Sequence, residues 1–400
     1  VLKKLSPLQF SKSCRDKSSF VASPKKIPCE AGEKLGLSVF DKRNACRSPR
    51  QSGNSPDIFG GFTEMAAATA SLHIPRNTRP WIIDRNNDLL YFFGGALLGY
   101  LVIALMAMGA PIWPFYFVML VFLEGPHVFA TATRTYFDRT ERRELGWALW
   151  MLLPFSLVGP AMFAVGLGAV FTMLAFTWLH LHIAKQHLGF VMIYKRKGRE
   201  RDDFKLDRVF VLASLALPLA GYWIETTLAD SPTVAGIRKL ALAAYGVLVA
   251  VYIGRQARKA WRGESLKRPK LLLLALVVPL QWLAFAYAPR SGYGIIAAGV
   301  PISLGHTLQY HRLMWFHNRN RYGVGGVRAG LASIVNRKLI YYVLAVVGLN
   351  LALHVLPRQA ALNSPMLLSA FWGLSFTHFF LDGRIWRIRK NPELAASLRM

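Results

Sequence analysis

Cysteine is scarce and confined: Cys14, Cys29 and Cys46 all fall within the first 64 residues, and none follows. A disulfide framework in the rest of the chain is thereby excluded. So are iron–sulfur clusters and cysteine-type structural zinc sites there, because both need thiolates. Acidic residues are also few, 21 against 49 Lys and Arg, which leaves a formal charge of +28. The glycine runs "GLGAV" and "YGVGGV" match no nucleotide fingerprint and read as a helix contact and a flexible loop. No internal repeat is evident, and the first residues lack the apolar core of a secretory signal.

Apolar residues, by contrast, make up 53% of the chain and gather into repeated runs long enough to cross a bilayer. Residues 1–64 stand apart: rich in Ser, Lys, Arg and Pro and without apolar periodicity, they read as disordered. They are either a flexible cytosolic tail or the product of an over-extended gene model, since Met65 stands where the composition changes. Mass spectrometry of the natural N-terminus decides between the two. Residues 65–88 read as a cytosolic pre-membrane segment, 89–388 as a transmembrane domain, and 389–400 as a cytosolic tail.

The expected fold is all-α, a polytopic transmembrane helical bundle of ten spans. These cover 89–109, 113–133, 146–166, 168–194, 209–229, 238–254, 270–288, 294–317, 339–356 and 366–386. The nearly continuous stretch 146–194 is divided at Gly159-Pro160 to Gly168, where the available breakers lie. Charge tests this division separately. With both termini cytosolic, 31 of the 37 Lys and Arg beyond residue 64 lie on the cytosolic side. Positive residues orient membrane proteins in this way. The same placement explains the excess charge as attraction to anionic lipid, without nucleic acid as a partner. The expected location is an integral membrane, the cytoplasmic one if the source is bacterial.

Histidine is the residue type whose distribution is unusual. Eight of the ten lie toward the cytosolic ends of even-numbered spans: His127; His180, His182 and His187; His306, His311 and His317; and His378. Ionisable groups at membrane depth are costly and mark function by default. At about 100° per residue, His180, His187 and Tyr194 share one face of "TWLHLHIAKQHLGF" and its continuation, while His182 points nearly opposite. His127 shares a face with Thr131, Arg134 and Asp138; His306 aligns with Tyr310 and His317, with His311 rotated away. His378 and Asp382 are i, i+4 neighbours. The candidate metal ligands are therefore His127, His180, His182, His187, His306, His311, His378 and Asp382. Imidazole suits iron, zinc or copper, and the carboxylate shifts the balance toward iron or manganese.

Blander readings stand beside these. His127 can bond a backbone carbonyl freed by Pro126, and the His180–His187 stretch can be polar residues at headgroup level. His317 faces headgroups, Lys185 snorkels to phosphate, and Arg134–Asp138 and Asp382–Arg384 are plain ion pairs. His73 and His354 are structural.

The pattern "H-x-H-x4-H", "H-x4-H" and "H-x3-D" resembles, at class level, the histidine-rich integral-membrane iron oxygenases: desaturases, hydroxylases and alkane monooxygenases. The usual boxes of that class, H-x3-4-H and H-x2-3-H-H, are absent, as is any adjacent histidine pair. A loose likeness to the retinal-forming, histidine-liganded carotenoid cleavage enzymes also exists. The resemblance implies a non-haem metal oxidoreductase with one or two irons, acting on a lipid-soluble acyl or isoprenoid substrate. Its partners would be membrane lipid and an electron-donor protein. An ion- or proton-coupled transporter is the alternative from another class, a bis-histidine haem protein is a third, and a purely structural membrane protein is the fallback.

Overall fold

Backbone groups that cannot reach water must be satisfied within their own segment, which favours helices in apolar runs. The computed structural model describes residues 80–228, 231–323 and 330–400, and among them every regular element is helical. Ten helices organise the described residues: α1 (Arg85–Ala107), α2 (Trp113–Arg134), α3 (Arg139–Ala164), α4 (Gly168–Lys197), α5 (Phe204–Thr227), α6 (Pro232–Trp261), α7 (Arg268–Arg290), α8 (Ile295–Tyr322), α9 (Leu339–Ala360) and α10 (Trp372–Ile385). The expected tail or gene-model extension over 1–64, and His73, lie outside the described residues.

Seven helices among the described residues are long and apolar enough to cross a membrane: α1, α2, α3, α5, α6, α7 and α9. They mark the chain as an integral membrane protein. The three remaining expected spans correspond to α4, α8 and α10. The first two are long but interrupted by polar residues, and α10 is only 14 residues, preceded by the short helix Pro365–Ala370. Those three carry seven of the eight clustered histidines, so what depresses their apolar character is the set of residues to be explained. Lipid is the natural neighbour of the outward faces. Leu240, Val247, Val251 and Ile253 on α6, and Trp147, Trp150, Leu153 and Leu157 on α3, are all exposed, far more apolar surface than a soluble protein leaves bare.

Small residues let the central helices meet closely. A Cβ on Gly95 of α1 would stand 2.8 Å from Gly305 Cα of α8, so Gly95 has no room for a side chain, and a Cβ on Gly305 would meet the α1 backbone at 3.3 Å. This contact seats α8 at the centre of the bundle, where 19 of its residues are buried.

One local break positions the site. Pro126 has no N–H, and the backbone just before it, Met119–Leu123, winds as a π turn. Such turns leave carbonyls without helical partners. Here Asn350 Nδ2 donates to the carbonyls of Leu120 and Val121 at 3.0 and 3.2 Å, and His311 Nε2 lies 3.1 Å from Leu123 O. Gly125 is what admits Asn350, because a Cβ there would fall 2.2 Å from Asn350 Oδ1.

At the other end of α4 the chain turns through a buried ion network. Lys195 pairs with Asp207; Lys270 reaches Glu200 Oε1 at 2.9 Å and Asp207 Oδ1 at 3.2 Å; Lys259 reaches Glu200 at 3.1 Å. Burial raises the Glu200 pKa, but hydrogen bonding and charge from Lys270, with Lys195 and Lys259, outweigh it and hold the carboxyl below its ordinary range. Asp202 is lowered to about 2, chiefly by its hydrogen bond from Lys259. Several of the basic residues counted above are thus neutralised internally. The C-terminal segment docks rather than trailing: Pro392–Ser397 is helical, Leu394 and Leu398 are buried, and Arg321 binds Glu393 at 2.6 Å.

Candidate metal centre

Four helices, α2, α4, α8 and α10, bring His127, His182, His306 and His378 into one buried cluster. Ring centroids of His127 lie 4.4 Å from His378, 4.6 Å from His306 and 6.1 Å from His182; His182 lies 4.9 Å from His378 and 5.3 Å from His306. Ligand atoms of His127, His182 and His306 fall within 4.8 Å of one another, and so do those of His182, His378 and Asp382. His182 belongs to both sets. These groups can hold a metal ion.

The hydrogen-bond pattern separates ligand-ready nitrogens from committed ones. His127 Nδ1, His182 Nε2 and both ring nitrogens of His306 are buried without a partner. A buried, unsatisfied polar group costs about 1–3 kcal/mol, and each of these three neutral rings has one lone pair that a cation would satisfy. His378 is held at both ends: Nδ1 lies 2.7 Å from Thr131 Oγ1, and Nε2 lies 2.8 Å from His127 Nε2. Thr131 and Tyr310 hydroxyls donate to Asp382 Oδ1 at 2.9 and 2.8 Å. The single proton of Thr131 is then spent on the carboxylate, so its oxygen accepts from His378 Nδ1–H. That tautomer leaves the His378 Nε2 lone pair facing the cluster.

The other candidate residues have ring nitrogens bonded outside the cluster, although His311 borders it, with its ring centroid 6.1 Å from that of His127. His180 Nε2 is 2.5 Å from Leu215 O, with its ring against Phe285, and His187 Nδ1 is 2.9 Å from Ile183 O of its own helix. The face of α4 expected to carry ligands therefore turns toward α5 and α7, and the face of His182 turns inward. His311 is tied to the Leu123 carbonyl and, at 3.0 Å, to Tyr342 Oη. The carbonyls freed near Pro126 are taken by Asn350 and His311, not by His127. His317 is buried and bonds Ser397 Oγ at 2.6 Å instead of facing headgroups. His354 lies 3.1 Å from Asn350 Oδ1.

Neither expected ion pair forms: Arg134 binds Glu141 at 3.4 Å and the Ile385 carbonyl at 2.9 Å, and Arg384 lies over Phe380. Asp138 instead accepts from Tyr322 at 2.6 Å and faces Arg321 at 3.5 Å. Burial raises its pKa, but hydrogen bonds from Thr140, Tyr322 and the backbone outweigh that and lower it.

His127 and His378 lie seven residues before the ends of their helices, whereas one member sits farther in. His182 is 14 residues after Gly168 and 15 before Lys197, near the middle of α4. Tyr310 and Thr131 are also members of the site, although helical spacing marks them only as neighbours on a shared face. A third acidic group, Glu200, Asp202 and Asp203, has metal-like spacing, but Lys259, Lys270 and Arg255 occupy its carboxylates. A cavity of about 270 Å³ reaches the cluster at His182, Tyr310 and Asp382, walled by Trp178, Phe190, Phe379 and Trp386. Comparison with known protein families, with curated proteins and with solved structures finds no match for this chain.

Proposed function

We propose that this chain is a membrane-embedded non-haem metal oxidoreductase acting on a lipid-soluble substrate. His127, His182, His306, His378 and Asp382 would hold one or two metal ions. The observation that carries this reading is the convergence of unpartnered imidazole nitrogens from separate helices at the head of an apolar cavity. Histidine with carboxylate favours iron or manganese over zinc or copper, and thiolate-loving metals have no ligand here. Iron so held would supply the oxygen and electron chemistry.

The chain's own residues do the rest. Thr131 and Tyr310 fix the Asp382 carboxylate, and Thr131 also fixes the ring of His378; partners of this kind orient ligands and tune their basicity. Trp178, Phe190 and Phe379 would hold an acyl or isoprenoid chain and keep water from the cluster. Electrons would come from a donor protein at the basic end of the bundle, which we place on the cytosolic side from the distribution of Lys and Arg.

The test is metal analysis of detergent-purified protein by mass spectrometry. One or two irons per chain are expected, lost on His182→Ala or His306→Ala and kept on His180→Ala or His187→Ala. Protein that is folded yet metal-free after chelator-free, anaerobic purification refutes the reading, and a Soret band would point to haem instead.

A further inference from the structure

Lys185 is not used by the metal centre. It lies on the His182 face of α4, three residues further along, and lines the same cavity. It is exposed and makes no hydrogen bond or ion pair to any described residue. It also sits far from the polar end of its helix: the twelve residues to Lys197 span about 18 Å of axis, more than a lysine side chain covers. Lys195, Lys259 and Lys270 near that end all have carboxylates, whereas this one has none among the described residues. Asp382, the carboxylate in the same cavity, is engaged by Thr131 and Tyr310. An unpaired ammonium at this depth is costly and calls for a partner.

We propose that the cavity takes a single-chain amphiphile whose anionic headgroup pairs with Lys185 while its chain lies against Trp178, Phe190 and Phe379. The inference rests on the metal-centre reading for what happens to that chain, but not for its binding. Size supports one chain over two: about 270 Å³ is just below the roughly 300–1,000 Å³ range of ligand pockets. Charge sets the headgroup, since neither a hydrocarbon nor a fatty alcohol would neutralise the ammonium. A free carboxylate and a lysolipid phosphate share the needed chemistry.

The experiment is binding to the full chain in detergent, with palmitate, lysophosphatidate and hexadecanol as competitors of a fluorescent fatty acid. Metal content is measured on the same samples. Lys185→Met is expected to weaken the anionic ligand by about 10–100-fold, the value of one charge-assisted hydrogen bond, and to leave hexadecanol unchanged. Lys185→Arg should restore the anion. Whichever anion shows the Lys185-dependent loss identifies the headgroup. Equal binding of all three ligands to the wild type and Lys185→Met overturns the proposal, as does weakening of hexadecanol by the same factor. Wild-type protein without metal that still shows the Lys185-dependent loss refutes the metal-centre reading and leaves this one standing; full metal content without that loss does the reverse.

Discussion

Thr131→Val is the substitution that isolates how the site is held. Valine keeps the shape of threonine and removes the hydroxyl, which in the native protein contacts His378 Nδ1 at 2.7 Å, Tyr310 Oη at 2.8 Å and Asp382 Oδ1 at 2.9 Å. Thr131 is buried, so no water replaces these contacts cheaply. The His378 ring loses the acceptor that fixes its tautomer, and Nε2 no longer presents its lone pair in every molecule. Loss of such a partner costs about 10–100-fold in metal affinity, which is about 1.4–2.8 kcal/mol at the cluster. Competition with a chelator of known affinity reads that change directly, with Thr131→Ser expected to recover most of it. A folded Thr131→Val protein that holds metal as tightly as the wild type would refute the argument that His378 is a ligand oriented through Thr131.

Asn350→Leu strips the donors from the Leu120 and Val121 carbonyls, each worth about 1–3 kcal/mol when left bare; a lowered thermal midpoint in detergent is expected, and an unchanged one would dismiss the repair of the π turn. Gly305→Val should disrupt the α1–α8 contact, because backbone stands within 3.3–3.4 Å of any Cβ there; normal assembly of this variant would contradict the packing. Glu200, with its pKa lowered by Lys270 and its neighbours, stabilises the fold above the ordinary carboxylate pKa, and that stability is lost as pH falls through the lowered folded value. The unfolding midpoint of the wild type should therefore decline through the acid range below pH about 4, and Glu200→Gln should flatten this decline while lowering stability at neutral pH.

Composition and spacing determine a good deal of this protein by themselves. Apolar runs of bilayer length have one economical backbone solution, so the helical body is legible without coordinates. Within the breakers from Gly159-Pro160 to Gly168, however, the break falls only after Ala164, with Pro160 inside the helix. The pairing of His378 with Asp382, and of His306 with Tyr310, is legible as well, because i and i+4 lie on one helical face whatever surrounds it. The choice between faces is not. His180 and His182 are two residues apart on α4, and nothing local says which turns inward; only packing against α5, α7, α8 and α10 gives His180 the Leu215 carbonyl and His182 the cluster. A signal was present in the spacing of His182, Lys185, Gln186 and Gly189, a stripe at helical period that lines one cavity. His311 shows the same limit from the other side. Its sequence looks like that of a ligand, yet a carbonyl exposed by the winding before Pro126, on another helix, claims its ring. Side-chain chemistry is written in the chain, but the partner that uses each group is decided where helices distant in sequence meet.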